Sequence, residues 1–179
     1  MEDSFIIIHD LNIHPKLPIS IYAVLDGHGG EWCAIFIKQR FEAEIKRNLL
    51  DPENGLYGIN RKGMNECFGL AIRKTFAKID EEYYVEREGR SNKCGSTGSV
   101  VCIVGIHIFC ANVGDSRSIL SRKGKAVNLS LDHKASRPDE VARIKHNDGK
   151  IEFGRVGAKL AITRAFGDFE FKAFVDDEG

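Results

Sequence analysis

At 179 residues the chain is long enough for one domain, which buries about 70% of the surface that the unfolded chain exposes. Its 26 basic and 26 acidic residues give a formal net charge of zero, so it lacks the overall positive field that attracts nucleic acid or anionic lipid. The sequence also shows no apolar run near the roughly 20 residues that span a bilayer, and its start, MEDSF, has no basic leader region. We therefore expect neither nucleic acid nor a membrane as a partner.

The cysteines form an odd set without a CxxC pair: Cys33, Cys67, Cys94, Cys102 and Cys110. This pattern predicts reduced, mostly buried thiols and a cytoplasmic or nuclear protein. No cysteine has a positioned base in the sequence, so we interpret all five as core residues rather than nucleophiles.

Two apolar segments near the start of the chain predict buried strands. Residues 5–8, FIII, and 19–25, ISIYAVL, are short, rich in β-branched side chains and bounded by His, Asp, Pro or Gly. From Gly30 the apolar residues recur every three or four positions, which predicts an amphipathic helix with the stripe Ala34, Ile37, Phe41, Ile45 and Leu49. After a loop at 51–63, a second helix is predicted by the stripe Met64, Phe68, Ile72, Phe76, Ile79 and Tyr83.

Strand patterns dominate the chain after Gly95. They predict hairpins that turn at Gly105–Ile106 and Lys123–Gly124, and further β segments at 150–156 and 159–166. A short helix lies among them: Ser136, with Asp139 three residues later, predicts its N-terminal cap, Pro138 fits its first turn, and Gly149 is expected to end it. Because strands precede and follow a helix pair rather than alternate with helices, the sequence predicts an α+β fold.

The segment YAVLDGHGG, residues 22–30, places an acid, a glycine and a histidine directly after a buried strand. One interpretation is a tight turn, because Asp-Gly is a strong hairpin signal and histidine is common in loops. The other is a metal site, in which Asp26 supplies a carboxylate and Gly27 leaves its carbonyl open to Mg²⁺ or Mn²⁺. His28 would then donate a proton beside the metal at neutral pH. The residues alone leave both interpretations open.

Other acids could complete such a site, since two-metal sites place their ions ~3.5–4 Å apart and need more than one carboxylate. Glu2 is one candidate, although acids near a terminus are usually solvated. Asp115, in GDSR, repeats the pattern of strand, glycine and acid, with a hairpin turn as its alternative. Asp168, in Gly-Asp, is a third and weaker case. The segment GSTGS at 95–99 is not a phosphate-binding loop, because GK[ST] is missing and a strand follows instead of a helix.

Six segments, in this order, resemble the motifs of the metal-dependent protein phosphatase 2C family: MED at 1–3, YAVLDGHGG at 22–30, GSTGS at 95–99, ANVGDSRS at 111–118, LDHKASRPDEVARI at 131–144 and RVGAKLAITRAFGDFEFK at 155–172. The resemblance covers nearly the whole chain. It implies that residues 1–179 form a partial catalytic domain with the family's β-sandwich, two antiparallel sheets flanked by helices, incomplete at the C-terminus. It also implies hydrolysis of phosphoserine and phosphothreonine in phosphorylated proteins by a hydroxide that bridges two metal ions.

The resemblance assigns roles at matching positions. Asp26 corresponds to the carboxylate that bridges two Mg²⁺ or Mn²⁺ ions, Gly27 to a carbonyl ligand and Glu2 to an acid that reaches a metal through water. His28 corresponds to the general acid for the leaving serine or threonine oxygen. Asp115 corresponds to the acid associated with a third, weaker metal in some members.

Other family features do not occur in this sequence. The phosphate-binding arginine would lie three residues before Met1, and the Ser-Asp-Gly and Asp-Asn segments with two further metal-binding aspartates are missing. Asp176 and Asp177 lie in different surroundings and read as a solvated tail. We therefore keep an alternative to the phosphatase, a truncated and inactive protein-binding module, and we expect self-association through exposed sheet edges.

Overall fold

The computed structural model describes residues 1–52, 55–56, 63–86 and 93–172. In chain order the strands are β1 (Ser4–Ile8), β2 (Ile19–Leu25), β3 (Gly27–His28), β4 (Gly95–Ser96), β5 (Gly98–Val104), β6 (His107–Val113), β7 (Ile119–Arg122), β8 (Lys125–Asn128), β9 (Ile151–Glu152), β10 (Arg155–Val156) and β11 (Phe166–Gly167). The helices are α1 (Trp32–Leu49), α2 (Met64–Glu86) and α3 (Pro138–His146), and a 3-10 turn spans Phe169–Phe171. Asp176, Asp177 and most of the predicted loop at 51–63 lie outside the described residues.

The main sheet is antiparallel, with the strand order β1-β2-β5-β6. Its side chains alternate between two faces, as the period of a strand requires: Ile6 and Ile8 of β1 are buried, whereas Phe5 and Ile7 are exposed. Helices α1 and α2 cover the buried face, and Phe68 of α2 stacks on the ring of β6 Phe109 at 4.7 Å between centroids. The apolar stripes that predicted both helices form the centre of this core.

A smaller sheet, with the order β11-β4-β3, continues from the main sheet. Val24 pairs with Ser99 in the main sheet and Gly27 pairs with Ser96 in the smaller one, so the register is the same on both sides. The segments 19–28 and 95–104 are thus one long antiparallel pair that passes from one sheet to the other at Asp26. Gly27 and His28, two of the predicted site residues, follow Asp26 directly in β3.

Both predicted hairpins are confirmed. Gly105 has a φ of 57° between β5 and β6, and Lys123 and Gly124 have φ values of 51° and 73° between β7 and β8. Lys123 and Gly124 are consecutive residues with positive φ, the combination that a two-residue β-hairpin turn favours because its twist matches that of the flanking strands. The segment 150–156 is also β, as the β9–β10 hairpin.

The prediction of a strand at 159–166 is wrong. Within that segment only Phe166 belongs to a strand, together with isolated bridges at Leu160 and Ile162. Thr163 and Arg164 instead direct their polar groups to the carboxylate of α3 Glu140. In this segment, hydrogen bonds from side chains to α3 are present where backbone pairing with another strand was predicted.

The predicted cap of α3 is also wrong. Arg137 is the N-cap residue, with extended backbone angles and no side-chain hydrogen bond to the helix. Pro138 occupies the first helical position as predicted, which places Ser136 one residue too far from the helix to cap it. The Asp139 carboxylate pairs with the Arg137 guanidinium instead.

None of the helices among the described residues is both long enough and apolar enough to cross a membrane.

Candidate active site

Asp26 lies at the junction between the two sheets. Its carbonyl oxygen accepts a hydrogen bond from the Thr97 N–H at 2.9 Å, and its own N–H donates to the Thr97 hydroxyl at 3.2 Å. The hydroxyl therefore takes the place of a backbone carbonyl in the ladder. The chain continues into β3 without a hairpin, so the turn interpretation of Asp-Gly is wrong. The Asp26 side chain is exposed.

Gly27 is buried because the N-terminal segment lies directly on it. A Cβ at this position would collide with the carbonyl oxygen of Glu2 and would also contact Ala34. Since hydrogen-bonded and non-hydrogen-bonded pairs alternate in an antiparallel ladder, the bond between Thr97 and Asp26 makes Gly27 part of a non-hydrogen-bonded pair. The Gly27 carbonyl therefore points away from β4, toward the outer edge of the small sheet.

His28, the next residue, is paired with a carboxylate from the far end of the chain. Its Nε2 lies 2.8 Å from Asp168 Oδ2 and 3.0 Å from Oδ1. The Asp168 side chain is 3% exposed, whereas that of His28 is 33% exposed. The buried acid thus binds one nitrogen of a ring that still reaches solvent.

Two backbone features place Asp168 there. It follows β11 and has a φ of 53°, in the left-handed region, at the start of the 3-10 turn. Its N–H donates to the Cys94 carbonyl at 3.1 Å. Strand β11 pairs with β4, and β4 pairs with β3, so the small sheet brings Asp168 and His28 together across Gly95.

Gly95 has no room for a side chain. A Cβ built on it would lie 2.6 Å from both the His28 Nε2 and the Asp168 Oδ1. The hydrogen bond between these two residues passes through the space that a larger residue would fill. This is the structural requirement for glycine in the GSTGS segment.

The acids around His28 change its protonation. The hydrogen bond to Asp168 raises the pKa of His28 above its usual value, while partial burial of the ring acts in the opposite direction. The charges of Asp26 and Glu2 raise the same pKa further. These two acids therefore lie close enough to act electrostatically on the imidazole, and the ring carries a proton over a wider pH range than a solvated histidine.

Asp115 occupies a bend next to this junction. The Thr97 hydroxyl, which binds the Asp26 N–H, is also 2.7 Å from the Ser116 hydroxyl. Asp115 itself forms an ion pair with Lys134, with 3.2 Å between Oδ2 and Nζ. Strand β6 before it and β7 after it belong to different sheets, so the hairpin alternative for this motif is wrong.

The donor atoms at the junction are all oxygens, which suits a hard divalent cation. Glu2 and Asp26 are exposed, and the Gly27 carbonyl points away from β4. In the part of the chain that the structure describes, no group of three or more His, Cys, Asp or Glu side chains forms a metal centre. Metal binding by Glu2, Asp26 and the Gly27 carbonyl therefore stays a prediction.

The sequence undervalued three residues of this site. Asp168 repeats the pattern of strand, glycine and acid seen at Asp26, as a weaker case, and Gly95 and Thr97 belong to a segment that the family resemblance includes without assigning either residue a role. The shared pattern was a usable signal for Asp168. Nothing in the local sequence indicated that Thr97 would substitute for a backbone carbonyl.

The prediction of reduced, mostly buried cysteines is confirmed, with Cys110 half-buried. All five are free, and Cys33, Cys67, Cys94 and Cys102 are buried. Burial raises the pKa of Cys102 to about 12, so its thiol stays protonated and unreactive at neutral pH.

Antiparallel sheets with a helix pair on the main one, and a cluster of acids around His28 at the junction of the main and small sheets, define an α+β protein. Comparison with known proteins makes the class specific. A family model described as protein phosphatase 2C matches residues 1–178. The chain belongs to the protein phosphatase 2C family.

Individual relatives agree with this assignment. The chain is 38% identical over 160 residues to the probable protein phosphatase 2C 52 of Oryza sativa subsp. japonica, covering 88% of this chain and 30% of that protein. It is 38% identical over 161 residues to the protein phosphatase 2C homolog 3 of Schizosaccharomyces pombe, covering 88% and 35%. With the probable protein phosphatase 2C 6 of Paramecium tetraurelia it shares 35% identity over 184 aligned positions, covering 96% and 57%. The chain thus spans between about a third and somewhat over half of these relatives.

Solved structures confirm the predicted fold. A C. elegans sex-determining protein matches with a TM-score of 0.76 and 25% identity, over 99% of this chain and 43% of that one. The serine-threonine phosphatase 2C of Toxoplasma gondii matches with a TM-score of 0.69 and 16% identity, over 95% of this chain and 68% of that one.

Proposed function

We propose that this chain carries the reaction centre of a metal-dependent protein serine/threonine phosphatase, with phosphoserine and phosphothreonine side chains of proteins as substrates. Family membership supports the reaction class. The observation that carries the proposal is the contact between His28 and Asp168, next to the oxygens of Glu2, Asp26 and Gly27. A proton donor would thereby lie beside the oxygens that we propose to bind the cation, an arrangement suited to phosphoester hydrolysis.

Glu2, Asp26 and the Gly27 carbonyl would bind Mg²⁺ or Mn²⁺. When bound, such a cation lowers the pKa of water and neutralises charge that develops on the phosphoryl group. The role of the protein is to keep these three oxygens at one edge. Thr97 contributes by fixing the backbone of Asp26 on both its N–H and its C=O side.

His28 would protonate the oxygen of the leaving serine or threonine. Asp168 binds Nε2, so Nδ1 is the nitrogen available to the leaving group. The raised pKa keeps the ring protonated over a wider pH range than that of a solvated imidazole, which favours proton donation to an alkoxide leaving group. Asp168 also fixes the orientation of the ring, because both of its oxygens lie within hydrogen-bonding distance of the same nitrogen.

The ligand set predicts that turnover by the 179-residue chain alone is negligible. Glu2 and Asp26 supply two carboxylates, whereas a two-metal site needs further acids. The chain covers 57% of the Paramecium relative, and we expect the rest of that relative, joined to this chain, to supply the further acids. The fusion should then hydrolyse a phosphothreonine peptide in the presence of Mn²⁺.

The test compares this fusion with its Asp26→Asn and His28→Gln variants. Asp26→Asn should abolish turnover, since it removes the central metal ligand. His28→Gln should slow phosphopeptide hydrolysis far more than hydrolysis of an activated aryl phosphate, whose leaving group needs no proton. A folded but inactive fusion that still binds the phosphopeptide would favour the protein-binding module instead.

We also infer that the chain self-associates through β1, the edge strand of the main sheet. Its only described neighbour in the sheet is β2. The side chains of Phe5 and Ile7 are 58% and 55% exposed on its outer face, and the net charge of zero gives little repulsion between copies. A second copy of the chain can pair with this edge.

A further inference from the structure

We propose that Asp80, on α2, is a positioning residue for His28: it fixes the segment 165–172 in the conformation that presents Asp168 to the imidazole. The proposal rests on the proposed role of His28 in proton donation. Asp80 contacts neither His28 nor the metal-binding oxygens in any hydrogen bond that the structure shows. Asp80 acts instead on the backbone conformation of the segment 165–172.

The Asp80 carboxylate binds residues on both sides of the 3-10 turn at Phe169–Phe171, which follows Asp168. Its Oδ1 accepts the Gly167 N–H at 2.8 Å, and its Oδ2 accepts the Lys172 ammonium at 2.6 Å. The two bonds bracket the turn on either side. A single helical residue therefore sets the position of the segment that contains Asp168.

Lys172 extends the same network. Besides Asp80, its ammonium donates to the Ala165 carbonyl at 2.9 Å and lies 5.2 Å from the centre of the Phe169 ring. It thus links the residues before and after the turn. The Asp80 and Lys172 side chains are 23% and 29% exposed, so the pair is shielded from most of the solvent that weakens surface ion pairs.

The segment needs this support because its backbone is unfavourable. Gly167 and Asp168 have φ values of 70° and 53°, two successive residues in the left-handed region. For a residue with a side chain this conformation is unfavourable and persists where the surroundings enforce it. The bonds from Asp80 to Gly167 and from Asp168 N–H to the Cys94 carbonyl are the enforcing contacts on either side of that peptide.

Asp80 is also suitably placed on its helix. The neighbouring Ile79 and the later Tyr83 are buried in the core, which fixes the face of α2 that points at β11. Gly167, the residue that Asp80 contacts, belongs to β11. The position of Asp168 is therefore tied to the helix pair rather than to the small sheet alone.

Three variants separate positioning from a general contribution to stability. Asp80→Ala removes both bonds, whereas Asp80→Asn keeps an oxygen for Gly167 and loses the charge that attracts Lys172. Lys172→Met removes the ammonium and leaves the bond to Gly167. The control is Glu81→Gln on the same helix, which breaks the exposed ion pair with Lys78 at 3.0 Å.

The measurement is NMR of the imidazole of His28 in the 179-residue chain without metal. In the native chain the Nε2–H proton, bound to a buried carboxylate, should give a resolved downfield signal that exchanges slowly with water. Asp80→Ala should raise the exchange rate at least tenfold, with smaller increases for Asp80→Asn and Lys172→Met. Glu81→Gln should leave the signal unchanged. Near-ultraviolet circular dichroism verifies that each variant is folded.

An unchanged His28 signal in the folded Asp80→Asn and Lys172→Met variants would overturn the proposal, even if Asp80→Ala failed to fold. An equal increase in the exchange rate in Glu81→Gln would also overturn the proposal, because any substitution that destabilises α2 would then explain the result. The NMR signal of His28 can be measured whether or not the chain is catalytically active. If the fusion proves inactive while the signal responds to Asp80, the proposed phosphatase function fails and the positioning role stands.

Discussion

The Asp168 Oδ2 lies 2.8 Å from the Nε2 of His28, although the two residues are separated by 140 positions in the sequence. The small sheet makes this contact, because β4 lies between the strand that contains His28 and the strand that precedes Asp168. Gly95 of β4 leaves the space that the hydrogen bond occupies.

Gly95→Ala should break this contact. The new methyl group would lie against both the imidazole and the carboxylate, so the two must separate or the strands must shift. We expect a loss of about 1–3 kcal/mol in the free energy of unfolding, measured in urea, together with loss of the slowly exchanging Nε2–H signal. Gly69→Ala in α2 is the control: the nearest atom to its methyl would be the flexible Arg73 side chain at 3.5 Å, and alanine favours the helix. A Gly95→Ala chain with native stability and an intact signal would show that the space is not needed.

A second prediction concerns Glu140, a fully buried acid in α3. Burial alone would raise its pKa, but hydrogen bonds from Arg164, Arg143 and Thr163 outweigh burial and lower the pKa well below its usual range. Glu140→Gln should therefore reduce the free energy of unfolding by about 1–3 kcal/mol at pH 7.

The pH dependence of that difference has a definite sign. A lowered pKa in the folded state means that the stabilisation is complete above the unfolded value of about 4.3 and is lost as the pH falls toward the folded pKa. The gap between the native chain and Glu140→Gln should be constant from pH 7 to 5, then close by about 1.4 kcal/mol per pH unit below about pH 4. Urea unfolding at several pH values measures it. A gap that widens on acidification would contradict the assigned direction.

Self-association through β1 should depend on the outward face of that strand. Ile7→Lys places a charge in the middle of the exposed edge, and it should shift the chain to monomer in sedimentation equilibrium across a concentration series. Ile106→Lys is the matched control, since Ile106 is 95% exposed at the β5–β6 turn, away from β1. If the native chain is monomeric at every concentration, the inferred contact between copies does not exist.

The sequence was a good guide where local patterns decide the structure. The apolar stripes predicted α1 and α2, and the Lys123–Gly124 pair predicted the β7–β8 turn. It was a poor guide where distant side chains compete with local structure. The strand predicted at 159–166 gave way to contacts with the buried Glu140, which lies about 20 residues earlier in the chain.

The same division holds for the site. Asp26, Gly27 and His28 form one continuous motif, and the family resemblance assigned roles to them directly. The sequence did not predict that Asp168 is the partner of His28. A contact between residues 140 positions apart depends on the strand order β11-β4-β3 and not on a sequence motif. Asp80 looked like one more polar residue on a helix, since the N–H that it binds lies far along the chain.

The most direct test of the account is whether Glu2, Asp26 and Gly27 bind a cation beside His28. Mn²⁺ is paramagnetic and broadens the NMR signals of nearby nuclei. Titration of Mn²⁺ into the 179-residue chain should therefore first broaden the signals of residues 2 and 26–28, with weak affinity because the ligand set is incomplete. In Asp26→Asn this local broadening should disappear, whereas Asp132→Asn, which removes an acid already paired with Arg117, should leave it unchanged. Broadening that is spread over the surface acids, or is the same in Asp26→Asn, would contradict the central claim that this junction is a metal-dependent reaction centre.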